Sequence, residues 1–79
     1  SWIARQPRDA GLLHTLGRLC EQQRLWGKSQ SYFEAALSVR ETAETHLALA
    51  QLLERLDRTD AAQPHYRAAA LLSHTQQPK

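Results

Sequence analysis

The chain repeats part of its own pattern at an offset of 33 residues. The matched residues, first copy then second, are Leu16 and Leu49, Gly17 and Ala50, Leu19 and Leu52, Glu21 and Glu54, Phe33 and Tyr66, and Ala36 and Ala69. Self-similarity at a period of about 20 to 50 residues is typical of proteins in which each repeat buries its apolar face on its neighbours. The pattern therefore predicts two similar units, neither of which has a complete core by itself.

Within each copy, apolar residues recur at spacings of three and four, which is the period of an amphipathic helix. Asp9 and Thr42 are favourable N-caps, since their side-chain oxygens accept hydrogen bonds from the first turn of a helix. The spacing predicts helices over residues 10–23, 25–39 and 43–56.

A fourth helix is predicted from a cap at Asp60 to about Ser73. Asp60, with Gln63 three residues later, has the form of a capping box. Pro64 lies four residues past that cap, where it removes a backbone hydrogen bond, so we expect a late or distorted helix start. The remaining residues, 74–79, are polar and without periodicity and are predicted to be a frayed tail.

The small and aromatic residues at matched positions resemble those of the tetratricopeptide repeat, whose period is about 34 residues. Gly17 and Ala50 take the position at which this repeat needs a small residue, and Phe33 and Tyr66 take the aromatic position between its two helices. The resemblance implies an all-α fold of helical hairpins that form a fragment of a right-handed α-solenoid. Its divisions are 1–8 as the end of a preceding repeat helix, 10–42 as the first repeat, 43–75 as the second repeat, and 76–79 as a tail.

Composition argues against several functions. Ten Lys and Arg and eight Asp and Glu give a net charge of +2, and the two signs are interleaved, so no nucleic-acid partner is predicted. No stretch approaches the roughly 20 apolar residues that span a bilayer, so we expect no direct membrane insertion by this segment. The single cysteine, Cys20, cannot form an internal disulfide, and the repeat register predicts that it is buried and unreactive.

A closer resemblance is carried by residues 25–35, Leu-Trp-Gly-Lys-Ser-Gln-Ser-Tyr-Phe-Glu-Ala, and by residues 16–20, Leu-Gly-Arg-Leu-Cys. These runs resemble the C-terminal repeats of the HemY family of bacterial protoheme IX biogenesis proteins, and residues 49–54 and 65–67 are similar to that family's last repeat. The resemblance implies a protein anchored in the bacterial inner membrane through segments outside this chain, with the cytoplasmic side slightly favoured for this domain. It also implies a link to a late step of haem synthesis and brings no catalytic residues.

One short motif suggests nucleotide binding. Gly27-Lys28-Ser29 has the ending of a phosphate-binding loop, but that loop requires a glycine five residues before Gly27, where this chain has Gln22. We interpret the motif as the first turn of the second helix, with Trp26 packing back on the first. No Ser-His-Asp or paired-carboxylate arrangement is evident, so the chain is predicted not to be an enzyme.

Four histidines raise the question of a metal or haem site. No two of them have the close spacing that builds a metal site on one helix, so no metal site is predicted. If the repeats superpose, His14 and His46 lie on neighbouring first helices and approach each other on the inner surface. A haem- or porphyrin-binding module is therefore the alternative function, although the chain has no haem-attachment motif.

The concave face of such repeats, lined by the first helix of each, holds a protein or peptide partner. The candidate partner-binding residues on it are His14, Arg18, Gln22, Leu47, Gln51, Glu54 and Arg55. Arg18 and Arg55 suit acidic groups on a peptide, because guanidinium groups bind carboxylates in a two-pronged geometry. The alternative is that these arginines form salt bridges with Glu21, Glu44 or Glu54.

The sequence thus predicts an interaction scaffold that holds a protein or peptide, and the HemY resemblance implies an enzyme or a membrane component of haem biosynthesis as that partner. Self-association is a further alternative, because about three repeats are usually needed for a stable array and two leave their outer faces uncovered. Trp2, Ile3, Leu71 and Leu72 are the residues expected to pack into a neighbour or to shield their own chain.

Overall fold

The computed structural model describes residues 9–76, and for residues 74–76 it describes the backbone alone. The helices are α1 (Ala10–Gln22), α2 (Trp26–Val39), α3 (Ala43–Arg55) and α4 (Thr59–Gln76). The described part of the chain contains no strand, so the all-α prediction is confirmed. The predicted helix remnant at residues 1–8 and the last three residues of the predicted tail lie outside the described residues.

The predicted caps at the starts of α1 and α3 are confirmed. The Asp9 carboxylate accepts hydrogen bonds from the backbone N–H groups of Gly11 and Leu12, at 2.9 and 3.2 Å. The Thr42 hydroxyl accepts one from the N–H of Thr45 at 3.1 Å. Each cap satisfies donors that the first turn of a helix leaves without an internal partner.

The helices α1 and α3 also end in the same way. Arg24 and Asp57 both adopt a left-handed backbone, with φ of 63° and 65°. In each turn the backbone N–H of the next residue donates a 2.8 Å hydrogen bond to the carbonyl five residues before it. The bonds run from Leu25 to Cys20 and from Arg58 to Leu53. This is the Schellman closure of a helix, and it recurs at the offset of the sequence repeat.

The four helices form two hairpins in series. The strongest contacts are between α1 and α2 and between α3 and α4, and α3 also packs on α2 and touches α1. Connections of three residues join each helix to the next, which is typical of αα-hairpins. Because α3 contacts every other helix, it supplies most of the core, which comprises Phe33, Ala48, Leu49, Ala50, Leu52, Leu53 and Ala62.

The small-residue position of the first hairpin brings α1 and α2 into close contact. A Cβ atom on Gly17 would lie 2.7 Å from two ring carbons of Phe33, so only glycine leaves room for this ring. The buried Ser29 hydroxyl donates a 2.8 Å hydrogen bond to the Gly17 carbonyl. In the second hairpin, Ala50 and Ala62 are both fully buried. The predicted close-packing role of Gly17 and Ala50 is confirmed.

The predicted start of the fourth helix is wrong. Helix α4 begins at Thr59, so Asp60 lies inside its first turn and is not the cap, and Pro64 lies within a helix that continues to Gln76. Pro64 still removes one N–H donor, but Asp60, whose carbonyl would accept from it, is exposed to water. The cost of the missing bond is therefore small enough for the packing of α4 on α3 to outweigh it.

Cys20 is only half-buried, whereas the repeat register predicts that it is buried. Its counterpart Leu53 is 3% exposed. The reason is that α3 is covered by both hairpins, whereas α1 packs mainly against α2.

Candidate binding groove

A groove of about 370 Å³ lies where the second half of α1, the start of α2 and the second half of α3 meet. Its lining residues are Arg18, Glu21, Gln22, Arg24, Trp26, Ala48, Gln51 and Arg55. We call it the arginine groove. It brings together four of the predicted partner-binding residues, Arg18, Gln22, Gln51 and Arg55.

The arginine groove carries an excess of positive charge. Arg18, Arg24 and Arg55 supply three guanidinium groups, against the single carboxylate of Glu21. Within residues 9–73, no salt bridge involves any of these arginines. The alternative in which Arg18 and Arg55 form salt bridges with neighbouring glutamates is therefore not observed among these residues.

Trp26 forms an apolar wall of the groove. Its half-buried ring packs against the core, and the Arg55 guanidinium carbon lies 5.6 Å from the ring centroid. A cation held over an indole face is stabilised by the ring quadrupole, so this contact orients Arg55. Sequence reasoning assigned Trp26 to packing alone and missed Arg24, which the left-handed turn carries to the groove.

The other predicted site residues lie elsewhere. His14 contacts α3 through its Nδ1, 3.0 Å from the hydroxyl oxygen of Thr45. Leu47 lines a separate apolar groove between α3 and α4. The Glu54 carboxylate accepts a 2.6 Å hydrogen bond from the Tyr66 hydroxyl, which raises the pKa of that phenol. The predicted concave face is therefore divided between different surfaces.

Two histidines, the buried His46 and the half-buried His65, form a pair between α3 and α4. The Nδ1 of His46, a residue only 7% exposed, lies 2.9 Å from the Nδ1 of His65, and its Nε2 lies 3.1 Å from the Glu41 carboxylate. A carboxylate only accepts, so the contact with Glu41 requires a proton on Nε2 of His46. When His46 carries no second proton, its Nδ1 accepts a hydrogen bond from the Nδ1–H of His65. His14 and His46 thus have separate partners, and the predicted approach between them is not observed.

The described residues hold no group of three or more side chains suited to a metal ion. None of the helices between residues 9 and 76 has both the length and the apolar character needed to cross a membrane.

Two histidines favour the neutral form in the folded chain. Burial lowers the pKa of His65, the positive charge that His46 carries when it is protonated lowers it further, and Glu34 acts in the opposite direction. Burial, followed by the charge of Arg18, lowers the pKa of His14. At a pH between these lowered folded-state pKa values and the usual value of 6.5, the unfolded chain binds more protons than the folded chain.

We therefore expect the free energy of unfolding to decrease as the pH falls below about 6.5. The loss ends once the pH is below the folded-state pKa values, where both states are protonated. Urea unfolding between pH 8 and pH 4 measures this dependence, and His65→Gln, which removes one titrating group and keeps a hydrogen-bonding side chain, should make the slope shallower. Parallel pH profiles for wild type and H65Q would contradict this account.

Comparison with protein-family models, curated proteins and solved structures finds no match for this chain. The fold and the groove define an all-α protein of helical hairpins with a cationic cleft at the junction between them. The resemblances to the tetratricopeptide repeat and to the HemY family stay predictions.

Proposed function

We propose that this chain is a protein–protein interaction module whose arginine groove binds an acidic segment of a partner protein. The observation that carries the proposal is the convergence of Arg18, Arg24 and Arg55 on one groove. None of these three arginines forms a salt bridge with another of residues 9–73. Charge-assisted hydrogen bonds from guanidinium to carboxylate are roughly twice as strong as neutral ones. A carboxylate side chain is therefore the ligand group that this groove favours.

The other lining residues favour a peptide over a free ion. Gln22 and Gln51 carry amide groups that both donate and accept, as the backbone of an extended peptide requires. Trp26 offers an apolar surface beside the arginines. A groove of about 370 Å³ is at the small end of ligand sites, which suits a few side chains of a peptide.

The groove belongs to the junction between the hairpins and not to the repeat itself. By the 33-residue offset, Arg18 corresponds to Gln51, Arg24 to Asp57 and Trp26 to Thr59. A second groove of this charge is therefore not expected in a structure built from the same hairpins. This uniqueness favours one specific partner segment over a series of equal sites.

We further propose that the hairpins are tetratricopeptide-type repeats of a right-handed α-solenoid. The recurring Schellman turns at Arg24 and Asp57 and the close contact at Gly17 support this. The resemblance of residues 16–35 to the HemY family supports a wider proposal, in which a protein anchored in the bacterial inner membrane uses this module to hold a partner from a late step of haem synthesis.

A direct test of the groove uses two labelled peptides, one alternating Glu and Asp with Ala and the other carrying Gln and Asn in their place. We expect the fluorescence anisotropy of the acidic peptide to rise as the chain is added, and that of the neutral peptide to stay constant. Arg18→Glu with Arg55→Glu should weaken this binding by tenfold or more, since each lost charged hydrogen bond is worth about 1.5 to 3 kcal/mol.

The matched control is Arg40→Glu with Arg67→Glu, which changes the net charge equally at two exposed arginines outside the groove. We expect it to keep most of the affinity. An equal loss in both double variants, or equal binding of both peptides, would contradict a specific groove. Affinity purification of the intact membrane-anchored parent carrying each pair of substitutions then tests the pathway, since a haem-pathway partner should be lost only from the groove variant.

A further inference from the structure

Helix α1 exposes a row of residues whose counterparts in α3 are buried. Leu12 and Leu19 are 41% and 51% exposed, and Thr15 between them is exposed as well, at the border of the groove that separates the starts of α1 and α3. Their counterparts at the 33-residue offset are Thr45, Ala48 and Leu52, which are 2%, 9% and 0% exposed. We call Leu12, Thr15 and Leu19 the front face.

The counterparts of the front face are buried because the first hairpin covers them. Thr45 meets His14 of α1 at 3.0 Å, and Ala48 faces Arg18 and Trp26 across the arginine groove. The front face of α1 therefore has the position of an inter-hairpin contact surface without the hairpin that would cover it among the described residues.

The opposite end of the molecule carries the other half of such a contact. An apolar groove of about 450 Å³ on the second hairpin is lined by Ala43, Glu44, Leu47, Tyr66, Ala69, Ala70 and Ser73, which we call the back face. The counterparts of Ala43, Glu44 and Leu47 are Ala10, Gly11 and His14, which face α3 across the junction in this structure. The back face is thus equivalent to the surface on which α3 packs.

We infer that a second copy of this chain docks head to tail, with its front face on the back face of the first. The contact would continue the one already present between the two hairpins. This inference stands apart from the acidic-peptide proposal, since neither face includes a residue that lines the arginine groove.

The residues at the centre of the contact favour a copy of α1 as the occupant. In the internal junction, His14 meets Thr45 and forms a polar pair. At the junction between copies, the same two positions are held by Leu47 and Leu12, which are exposed leucines on the back and front faces. A polar pair is replaced on both sides by an apolar pair, so the complementarity is kept and the contact removes two exposed leucines from water.

A head-to-tail contact does not close on two copies, because each dimer keeps one free front face and one free back face. Sedimentation equilibrium of the wild-type chain should therefore give a mean mass that exceeds 9.0 kDa and rises with concentration across the micromolar to millimolar range. Leu19→Glu on the front face and Leu47→Glu on the back face should each leave a monomer. Both side chains are exposed, so the circular dichroism spectra should match the wild type.

The decisive sample is an equimolar mixture of the two variants. L19E keeps its back face and L47E keeps its front face, so the mixture should form a one-to-one dimer and no larger species. The control is Leu25→Glu, at a leucine 46% exposed and outside both faces, which should associate like the wild type. A wild-type chain that stays at 9.0 kDa, an L47E chain that still dimerises alone, or a mixture that stays monomeric would each overturn the inference.

Discussion

Replacing Phe33 with alanine is expected to leave a large fraction of the chain unfolded. Phe33 is fully buried, belongs to the core cluster and packs against Gly17, with its ring centroid 5.4 Å from that of His14. Removing a buried phenylalanine costs about 3 to 5 kcal/mol, because the transfer energy is lost and a cavity remains. Domains of this size have little stability beyond that amount, since total stabilities begin near 5 kcal/mol.

Urea unfolding followed by circular dichroism measures the effect of Phe33→Ala. The matched control is Tyr32→Ala, which removes the neighbouring aromatic ring from a half-buried position on the same helix. We expect a much smaller loss for Y32A, of about 1 kcal/mol. Equal losses in the two variants would show that Phe33 is not the residue that joins the first hairpin to the core.

The second large effect is expected from a single methyl group at Gly17. In Gly17→Ala the new Cβ would lie 2.7 Å from the Phe33 ring, closer than carbon atoms tolerate, so either the ring, which is fully buried in the core cluster, or the backbone of α1 must shift. Such overpacking typically costs about 1 to 3 kcal/mol. Alanine favours a helix more than glycine by nearly 1 kcal/mol, so the packing strain must first cancel a local gain.

Gly27→Ala is the control that isolates this strain. Gly27 is also helical, but a Cβ there meets nothing within 4 Å, so the substitution should stabilise the chain by up to about 1 kcal/mol. The two variants thus carry the same chemical change and should shift the free energy of unfolding in opposite directions. A stabilised G17A would mean that α1 and α2 can separate without cost, which contradicts the close packing described above.

The groove and the stability of the chain are linked through this same contact. Arg18 follows Gly17 directly, and Trp26 begins the helix that carries Phe33. Any shift of α1 relative to α2 therefore changes the distance between the two sides of the arginine groove. Stability variants at Gly17 should accordingly be compared in peptide binding only after their folded fraction has been measured.

The sequence predicted the first three helices well because their signals are local. Asp9 and Thr42 each cap a helix within three residues of themselves, and the apolar spacing of each helix is visible within a few turns. The predicted start of the fourth helix was wrong because the capping box at Asp60 and the proline at Pro64 are local signals only. The packing of α4 along α3 outweighs both of them.

The pairing of side chains across the hairpins was predicted less well. The sequence placed His14 beside His46, whereas the structure pairs His14 with Thr45 and His46 with His65. It assigned Arg18 and Arg55 correctly to one surface but missed the arginine in the left-handed turn, whose direction depends on the φ of 63° at Arg24.

Helix positions, caps and the two-fold repetition of the pattern could thus be read from the chain alone, because each depends on residues within a few turns of one another. The arginine groove, the histidine pair and the identity of the residues that form the front and back faces required the tertiary structure. They depend on distances between side chains that are 19 to more than 30 residues apart, as in the contacts of His46 with His65 and of His14 with Thr45. Those distances are set by how two hairpins pack, and packing is a property of the whole surface of α3 rather than of any short segment.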